Sequence, residues 1–331
     1  MRRLLLTLFF LVALVTLATG AGALWWLHQP LSLRQPAVDL SIEKGMLPRQ
    51  VAQAVANAGV DVSPQLLYAW FRFSGQDRDI KAGSYELRTG ETPRTLLSKL
   101  ARGEEALQAV TLVEGWTFRQ FRAALAKQAD LRQDTAGLSD EALMERVGRA
   151  GQHPEGRFFP DTYNYAKGSS DVDVLKRALR AMDRRLEAAW AQRAADAQAG
   201  TPEQALILAS IIEKETGHGE DRGLVSAVFN NRLRIGMPLQ TDPTVIYGLG
   251  EAFDGNLKRS HLRADTPWNT YTRPGLPPTP IAMPGKESLL AAVQPAESKA
   301  LYFVSRGDGT SHFSNNLDEH NRAVNKYQRR Q

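Results

Sequence analysis

Thr201 to Gly217 reads Thr-Pro-Glu-Gln-Ala-Leu-Ile-Leu-Ala-Ser-Ile-Ile-Glu-Lys-Glu-Thr-Gly, and this stretch decides how the second half of the chain folds. Thr201 followed by Gln204 has the pattern of a capping box, and Pro202 suits the first helical position. Gly217 is typical of a helix C-terminus. Because the residues between these ends are apolar on nearly every side, the sequence predicts a buried helix.

Two carboxylates end this helix, and they point in different directions. Glu213 and Glu215 are separated by about 200° on a helix, so they cannot share a face. Glu215 follows Leu208 by seven residues and Ile211 by four, and it therefore extends the apolar stripe. A carboxyl against apolar side chains keeps its proton to higher pH, as a general acid requires. From the helix alone, the alternative that both glutamates lie in solvent stays open.

Composition excludes several classes of protein and site. The chain has 331 residues, enough for two domains after an N-terminal segment, and no cysteine, so disulfides, thiolate metal sites and a cysteine nucleophile are excluded. Six histidines show no metal-ligand spacing, so neither a metal site nor a cofactor is expected. A net charge of +5 is compatible with an anionic polymer or a membrane surface. No nucleic-acid partner is expected.

The N-terminus predicts the compartment. Residues 1–3 carry two arginines and form a cytoplasmic tip, and the uncharged run 4–27 is long enough for a transmembrane anchor, which needs about 20 residues. The remainder of the chain is then exported. The alternative is a signal peptide cleaved near Ala21-Gly22-Ala23. We favour the uncleaved anchor because the apolar run continues through Leu27.

Residues 38–129 contain three related β-turn-α units, with their turns at Gly45, Gly90 and Gly115. Units of this size cannot bury a core alone, so we expect the three to pack together. The middle unit, at residues 85–92, resembles the opening strand and turn of a LysM peptidoglycan-binding module. The region therefore binds glycan or is a small α+β scaffold.

Residues 130–152 are polar and are expected to form an irregular bridge to a mixed α+β domain at residues 153–331. This domain opens with an aromatic loop, residues 153–163, which either lines a sugar site or plugs a core. A long amphipathic helix is predicted over residues 171–199, with an Arg- and Glu-rich solvated face. A shorter helix is predicted over residues 223–233.

Polar residues lie between prolines in the segment that follows. Gln240, Thr241 and Asp242 are followed by a second proline-rich loop that contains Asn269 and Tyr271. Long ordered loops without periodicity are often functional. The chain then predicts an apolar strand at residues 300–304 and a C-terminal helix.

Four motifs together resemble the YceG-like family of membrane-anchored endolytic murein transglycosylases. They are Leu-Ala-Ser-Ile-Ile-Glu-Lys-Glu-Thr at 208–216, Asn-Arg-Leu at 231–233, Leu-Gln-Thr-Asp-Pro-Thr-Val-Ile-Tyr-Gly at 239–248, and Asn-Thr-Tyr at 269–271 with Gly-Leu-Pro-Pro at 275–278. The resemblance covers essentially the whole chain. It implies an α+β fold with an N-terminal transmembrane helix, a LysM-like region and a catalytic domain.

The resemblance also implies an activity. The family's catalytic glutamate corresponds to Glu215. The family cleaves the β-1,4 bond between N-acetylmuramic acid and N-acetylglucosamine within nascent strands, leaves a 1,6-anhydromuramoyl end and terminates elongation. A periplasmic location is implied, with a single span in the inner membrane and peptidoglycan synthases nearby. No cofactor is implied.

The residue types agree with this chemistry. One carboxyl suffices when the sugar's own C6 hydroxyl is the nucleophile, because the same group can act first as acid and then as base. Asp242 is a candidate to stabilise the oxocarbenium charge, although the sequence cannot place it near Glu215. Glu213 is the alternative acid. The candidate sugar contacts, each of which has an alternative structural role in a loop, are Asn231, Gln240, Asn269 and Tyr271.

Two other functions stay open. A muramidase-type hydrolase would use water and a second carboxylate, such as Asp242 or Asp161. A non-catalytic peptidoglycan-binding partner of a synthase complex would bind glycan without cleaving it.

Overall fold

The computed structural model describes residues 2–328, and it is a mixed α+β structure. The chain folds into two compact units. The first comprises Met1–Gln108 with Ala166–Gly168, and the second comprises Ala109–Tyr165 with Ser169–Gln331.

The N-terminal helix α1 spans Arg2–Leu27. Within it, the 19 residues Phe9–Leu27 are apolar and long enough to cross a membrane, by length and composition. This helix agrees with the predicted anchor and equally with a signal sequence.

The first two predicted β-turn-α repeats share one hydrophobic core, which belongs to the first compact unit. The elements are β1 Ser32–Leu33, β2 Ala37–Ile42, α2 Pro48–Asn57, β3 Val60–Asp61, α3 Pro64–Ser74, β4 Gly83–Arg88 and α4 Pro93–Arg102. Strand β2 pairs antiparallel with β4, and β1 pairs with β3. Alternate residues of β2 (Val38, Leu40 and Ile42) are buried, so one face of the pair covers the helices.

The helix of the third β-turn-α repeat lies in a different hydrophobic core from the first two repeats, so the expectation that all three share one core was wrong. Strand β5, Leu107–Thr111, pairs with β6, Thr162–Ala166, which the sequence pattern did not reveal. Helix α5, Phe118–Ala126, buries Phe121 and Leu125 in a core of the second unit. The third repeat joins this core because its strand β5 pairs with β6. The two strands are distant in the chain: the hydroxyls of Thr111 and Thr162, which contact each other, are 51 residues apart in sequence.

The stretch predicted as an irregular bridge contains helix α6, Asp140–Arg146. The hydroxyl of Ser139 caps this helix by accepting the Ala142 N–H at 3.2 Å. Leu143 and Met144 are buried in the same core as α5, so this part of the bridge belongs to the second unit.

The remaining helices and strands follow in order. They are α7 Asp171–Trp190, α8 Pro202–Glu215, α9 Gly219–Arg234, α10 Asp242–Leu249, a 3₁₀ turn Gly250–Ala252, α11 Arg259–Arg263, α12 Lys286–Val293, β7 Tyr302–Ser305, β8 Ser311–Ser314 and α13 Leu317–Tyr327. Strand β7 pairs antiparallel with β8, and α13 packs on both. The predicted apolar strand and C-terminal helix are confirmed, with the strand at Tyr302–Ser305 rather than at residues 300–304.

Helix α7 ends earlier than predicted. Beyond Trp190 the backbone turns away, because the N–H of Ala194 donates to the carbonyl of Val293 at 2.9 Å. The guanidinium of Arg193 donates to the carbonyl of Ala199 at 2.8 Å and fixes the turn. In the aromatic loop, Phe158 is buried in the core that contains α5, and Phe159 is buried in the core that contains α8, so both rings fill hydrophobic cores.

Helix α8 forms the centre of another hydrophobic core of the second unit, as predicted. Every residue from Ala205 to Ile212 is buried, and the helix packs against α7, α9, α10 and α12. Thr201 caps its N-terminus by accepting the Gln204 N–H at 3.2 Å. The side chain of Gln204 accepts from Gly200 N–H at 2.7 Å, so the capping box is incomplete.

The C-terminal end of α8 differs from the prediction. The helix ends at Glu215, and Thr216 is extended with φ −142° and ψ 126°. Gly217 is not among the glycines with positive φ, so it does not form a left-handed cap. The last residue of α8 is therefore a glutamate, placed where the chain turns away.

Candidate active site

Glu215 lies at the end of α8, half-buried in a groove of about 380 Å³. The side-chain hydroxyl of Thr241 donates a hydrogen bond to Glu215 Oε1. Burial of the carboxyl raises the pKa of Glu215, and the negative charge of Asp242 adds to this effect. The hydrogen bond from Thr241 and the charge of Arg232 act in the opposite direction, but the loss of hydration dominates.

Thr241 is held by the second proline-rich loop. Its N–H donates to Thr270 Oγ1 at 3.1 Å, and the N–H of Gln240 donates to the carbonyl of Thr270 at 3.1 Å. Thr244 Oγ1 lies 2.8 Å from Thr270 Oγ1 and donates to the carbonyl of Thr241 at 2.7 Å. Because Thr241, Thr244 and Thr270 are all buried, the hydroxyl that contacts Glu215 is fixed in position.

Gln240 has a strained backbone beside this contact. With φ of 48°, it is the one non-glycine residue with positive φ in residues 2–328. Its side chain is exposed and lines the groove. Strain of this kind persists where the surrounding structure fixes it, often at functional sites.

Asp242 and Tyr271 form a second polar pair in the groove. The Tyr271 hydroxyl donates to Asp242 Oδ1 at 2.6 Å. Burial is the largest effect that raises the pKa of Tyr271, and the carboxylate of Asp242 raises it further, so the phenol stays protonated. The structure thus brings Asp242 and Tyr271 to the same groove as Glu215, which the sequence could not do.

Arg232 supplies a buried positive charge to the groove. Its Nε donates to the carbonyl of Leu301 at 2.7 Å, and its Nη1 donates to the carbonyl of Leu239 at 2.7 Å. Its guanidinium carbon lies 5.2 Å from the centre of the Tyr302 ring. His320 stacks on the same ring at 5.1 Å, so β7 and α13 line part of the groove.

Glu213 faces away from this groove, as its helical position predicts. Its Oε2 accepts the N–H of Gly285 at 3.0 Å, at the N-terminus of α12. Lys214 Nζ donates to the carbonyl of Gly115 at 3.2 Å. Burial raises the pKa of the nearby Glu114 carboxyl, and the charge of Glu213 adds to this effect. Glu213 and Lys214 therefore hold the end of α8 in place.

Asn231 and Asn269 are buried, and their amide nitrogens donate to backbone carbonyls. Asn231 Nδ2 donates to the carbonyls of Ser298 and Ala300, both at 2.9 Å. Asn269 Nδ2 donates to the carbonyls of residues 261, 262 and 264, and its Oδ1 accepts the Tyr271 N–H at 2.9 Å. Neither lines the groove, whereas Gln240, Asp242 and Tyr271 do.

Asp161, the other candidate second carboxylate, lines a different depression from Glu215. Sequence reasoning did not single out Thr241, Arg232, Tyr302 or His320. Thr241 and Arg232 lie inside the quoted motifs, and this position could have identified them. No local feature of the sequence indicates that Tyr302 and His320 line the same groove.

The chain is similar to known proteins over most of its length. A profile of the YceG-like family matches residues 40–326. The endolytic murein transglycosylase of Bacillus subtilis is 30% identical over 308 residues, which are 88% of this chain and 84% of that protein. That of Streptococcus pneumoniae is 28% identical over 87% of this chain and 58% of its own length.

The chain is also similar in fold to solved structures. The crystal structure of a YceG-like protein from Listeria monocytogenes is 28% identical and has a TM-score of 0.55, covering 87% of this chain and 98% of that one. Together with the family profile, which matches well over half of the chain, this similarity identifies the family. The chain belongs to the YceG-like family.

Proposed function

We propose that this chain is an endolytic peptidoglycan lytic transglycosylase, a lyase that cuts the MurNAc-β-1,4-GlcNAc bond of nascent strands and thereby terminates their elongation. The observation that carries the proposal is Glu215, a carboxyl with a raised pKa at the end of a buried helix, facing a groove of about 380 Å³. The names of the bacillary and streptococcal relatives support the same activity.

In the first step, protonated Glu215 donates its proton to the glycosidic oxygen as the bond between that oxygen and the muramoyl C1 breaks. The poorly hydrated carboxyl favours the protonated form, which suits a general acid near neutral pH. Thr241 fixes the orientation of the carboxyl through its hydroxyl.

In the second step, the Glu215 carboxylate accepts the proton of the muramoyl C6 hydroxyl, whose oxygen bonds to C1. The product is a 1,6-anhydro end, and Glu215 regains its proton. No water enters the balance, and the nucleophile is already positioned because it belongs to the same sugar.

The carboxylate of Asp242 is our candidate to stabilise positive charge at C1, since it lies in the same groove. Tyr271 orients it through the 2.6 Å hydrogen bond. We propose Gln240 and Tyr271 as sugar contacts, because both line the groove. For Asn231 and Asn269 we propose a positioning role for the loops, because their amides bind backbone carbonyls.

The wider setting is also proposed. Residues 4–27 act as an uncleaved inner-membrane anchor behind a cytoplasmic tip at residues 1–3, and the rest of the chain lies in the periplasm beside peptidoglycan synthases. The 38–129 region contacts glycan in the manner of LysM modules, residues 130–152 lead from it, and residues 153–331 carry catalysis. The apolar helix Phe9–Leu27 and the similarity to murein transglycosylases support this arrangement.

The test is a digest of uncrosslinked glycan strands by the full chain in detergent, with the products separated and weighed. The lyase produces internal fragments whose new muramoyl ends are one water lighter than reducing ends. The alternative is a hydrolase, which Asp242 favours because it places a second carboxylate in the groove. Reducing ends would establish the hydrolase, and glycan binding without products would establish a non-catalytic protein.

A further inference from the structure

A second depression of the second unit has a volume of about 450 Å³ and is lined mainly by arginines. It lies between helix α7 and the chain that leads into β6. The lining side chains that concern charge are Asp161, Tyr163, Arg177, Arg180, Arg184 and Arg185. None of these residues lines the groove that contains Glu215.

The arginines lie on successive turns of α7, and aromatic rings brace two of them. The guanidinium carbon of Arg185 lies 4.7 Å from the centre of the Phe159 ring. That of Arg177 lies 5.9 Å from the centre of the Tyr163 ring. Stacking on aromatic rings restricts a guanidinium while leaving its N–H groups free to donate.

These four arginines have no ion-pair partner within 4.0 Å in the described residues 2–328, whereas many other arginines of the chain do. Asp183, which lies on the same helix, is paired instead with Arg149 at 2.5 Å. Asp161 is the one acid lining the depression, and its Oδ1 accepts the N–H of Thr162 at 2.7 Å. The depression therefore carries three net positive charges.

Positive charges that line one depression without ion-pair partners repel one another and lower the stability of the folded chain. Such an arrangement is expected where function requires it. Guanidinium groups donate in a fixed fork that matches carboxylate and phosphate oxygens. A singly charged carboxylate would leave most of this positive charge uncompensated. A phosphoryl group has up to two charges and three terminal oxygens, which two or three guanidiniums can bind together.

We propose that this depression is a binding site for a phosphoryl-bearing anion, separate from the groove that contains Glu215. The ligand is either a soluble compound with a terminal phosphate or the phosphomonoester headgroup of phosphatidic acid. Both present the same charged oxygens to the arginines, and the experiment separates them.

The experiment titrates inorganic pyrophosphate into the full chain in a neutral detergent and follows binding by calorimetry, with succinate as a dicarboxylate for comparison. The variant is Arg180→Gln/Arg184→Gln, which removes the two arginines that do not stack on a ring. The matched control is Arg306→Gln/Arg322→Gln, which removes two exposed arginines elsewhere in the second unit.

The wild-type chain is expected to bind pyrophosphate and to prefer it to succinate. The Arg180→Gln/Arg184→Gln variant should bind it at least roughly tenfold more weakly, as expected for the loss of charge-assisted bonds, while the control binds as the wild type does. Absence of pyrophosphate binding, equal binding of succinate, or an equal loss in the control would overturn the proposal.

Two further readouts complete the test. Without ligand, the variant should melt at the same or a higher temperature than the wild type, because it relieves repulsion; a lower melting temperature with unchanged binding would show a purely structural role. Micelles doped with phosphatidic acid, a phosphomonoester, displace pyrophosphate if the ligand is a lipid headgroup and leave it bound if the ligand is soluble. Glycan cleavage should be unaffected, so this proposal and the proposed function fail independently.

Discussion

Glu155 provides the sharpest test of the electrostatics of the second unit. It is 3% exposed, and its Oε1 accepts the N–H of Phe118 at 2.9 Å, at the start of α5. The hydroxyl of Tyr247, on the helix that begins with Asp242, acts on the same carboxyl and lowers its pKa, but less than burial raises it. Burial is the largest effect on this carboxyl and raises the pKa of Glu155 to about 8.

The sign of the stability change follows from proton uptake. An unfolded glutamate releases its proton near pH 4.5, whereas the folded protein holds it to about pH 8. Stability therefore falls as the pH rises through this window and is greatest below it. At about 1.4 kcal/mol per pH unit, the full window corresponds to roughly 4–5 kcal/mol. The variant Glu155→Gln does not titrate and should lack this loss.

The assay is urea unfolding of the full chain in neutral detergent between pH 4.5 and 8.5. Relative to the wild type, Glu155→Gln should gain about 4 kcal/mol of unfolding free energy across this range. Glu145→Gln, which changes an exposed acid on α6, is the matched control and should follow the wild type. If Glu155→Gln also follows the wild type at every pH, Glu155 is not held protonated by burial, and the reasoning is refuted.

Three further substitutions test the site. Tyr271→Phe removes the bond to Asp242 and should lower kcat roughly tenfold with little change in urea unfolding; unchanged kcat would contradict the role given to this pair. Asn269→Ala leaves buried carbonyls unpaired and should lower the unfolding free energy by about 1–3 kcal/mol. A change in KM without a change in unfolding free energy would show instead that Asn269 contacts the sugar. Gln240→Gly relieves the positive φ and should raise KM without loss of stability; a destabilised variant would show that its side chain supports the loop.

The local part of the fold could be predicted from the sequence. Residue spacing predicted the buried helix α8 and the position of Glu215 on its apolar stripe, because helical periodicity is a local property. The capping hydroxyl of Thr201 could also be predicted. The exact end of α8 could not, because distant partners hold it: Gly285 binds Glu213, and Gly115 binds Lys214.

Long-range pairing explains what was missed. Strand β5 pairs with β6, a short strand that directly follows the aromatic loop and was not predicted although its residues alternate between polar and aromatic, so the helix of the third repeat packs in a different core from the other two. The polar candidate residues Asn231, Gln240, Asn269 and Tyr271 looked equivalent in the sequence. The structure separates them, because Asn231 and Asn269 bind backbone carbonyls while Gln240 and Tyr271 line the groove. Only tertiary contacts carry that distinction.

The most direct test of the central claim compares Glu215→Gln with Glu213→Gln in the glycan digest. The two changes remove one carboxylate each, two residues apart on α8, and urea unfolding verifies that both variants fold. We expect no cleavage by Glu215→Gln and substantial cleavage by Glu213→Gln, because the Glu213 side chain faces Gly285 rather than the groove. Wild-type cleavage by folded Glu215→Gln would contradict it.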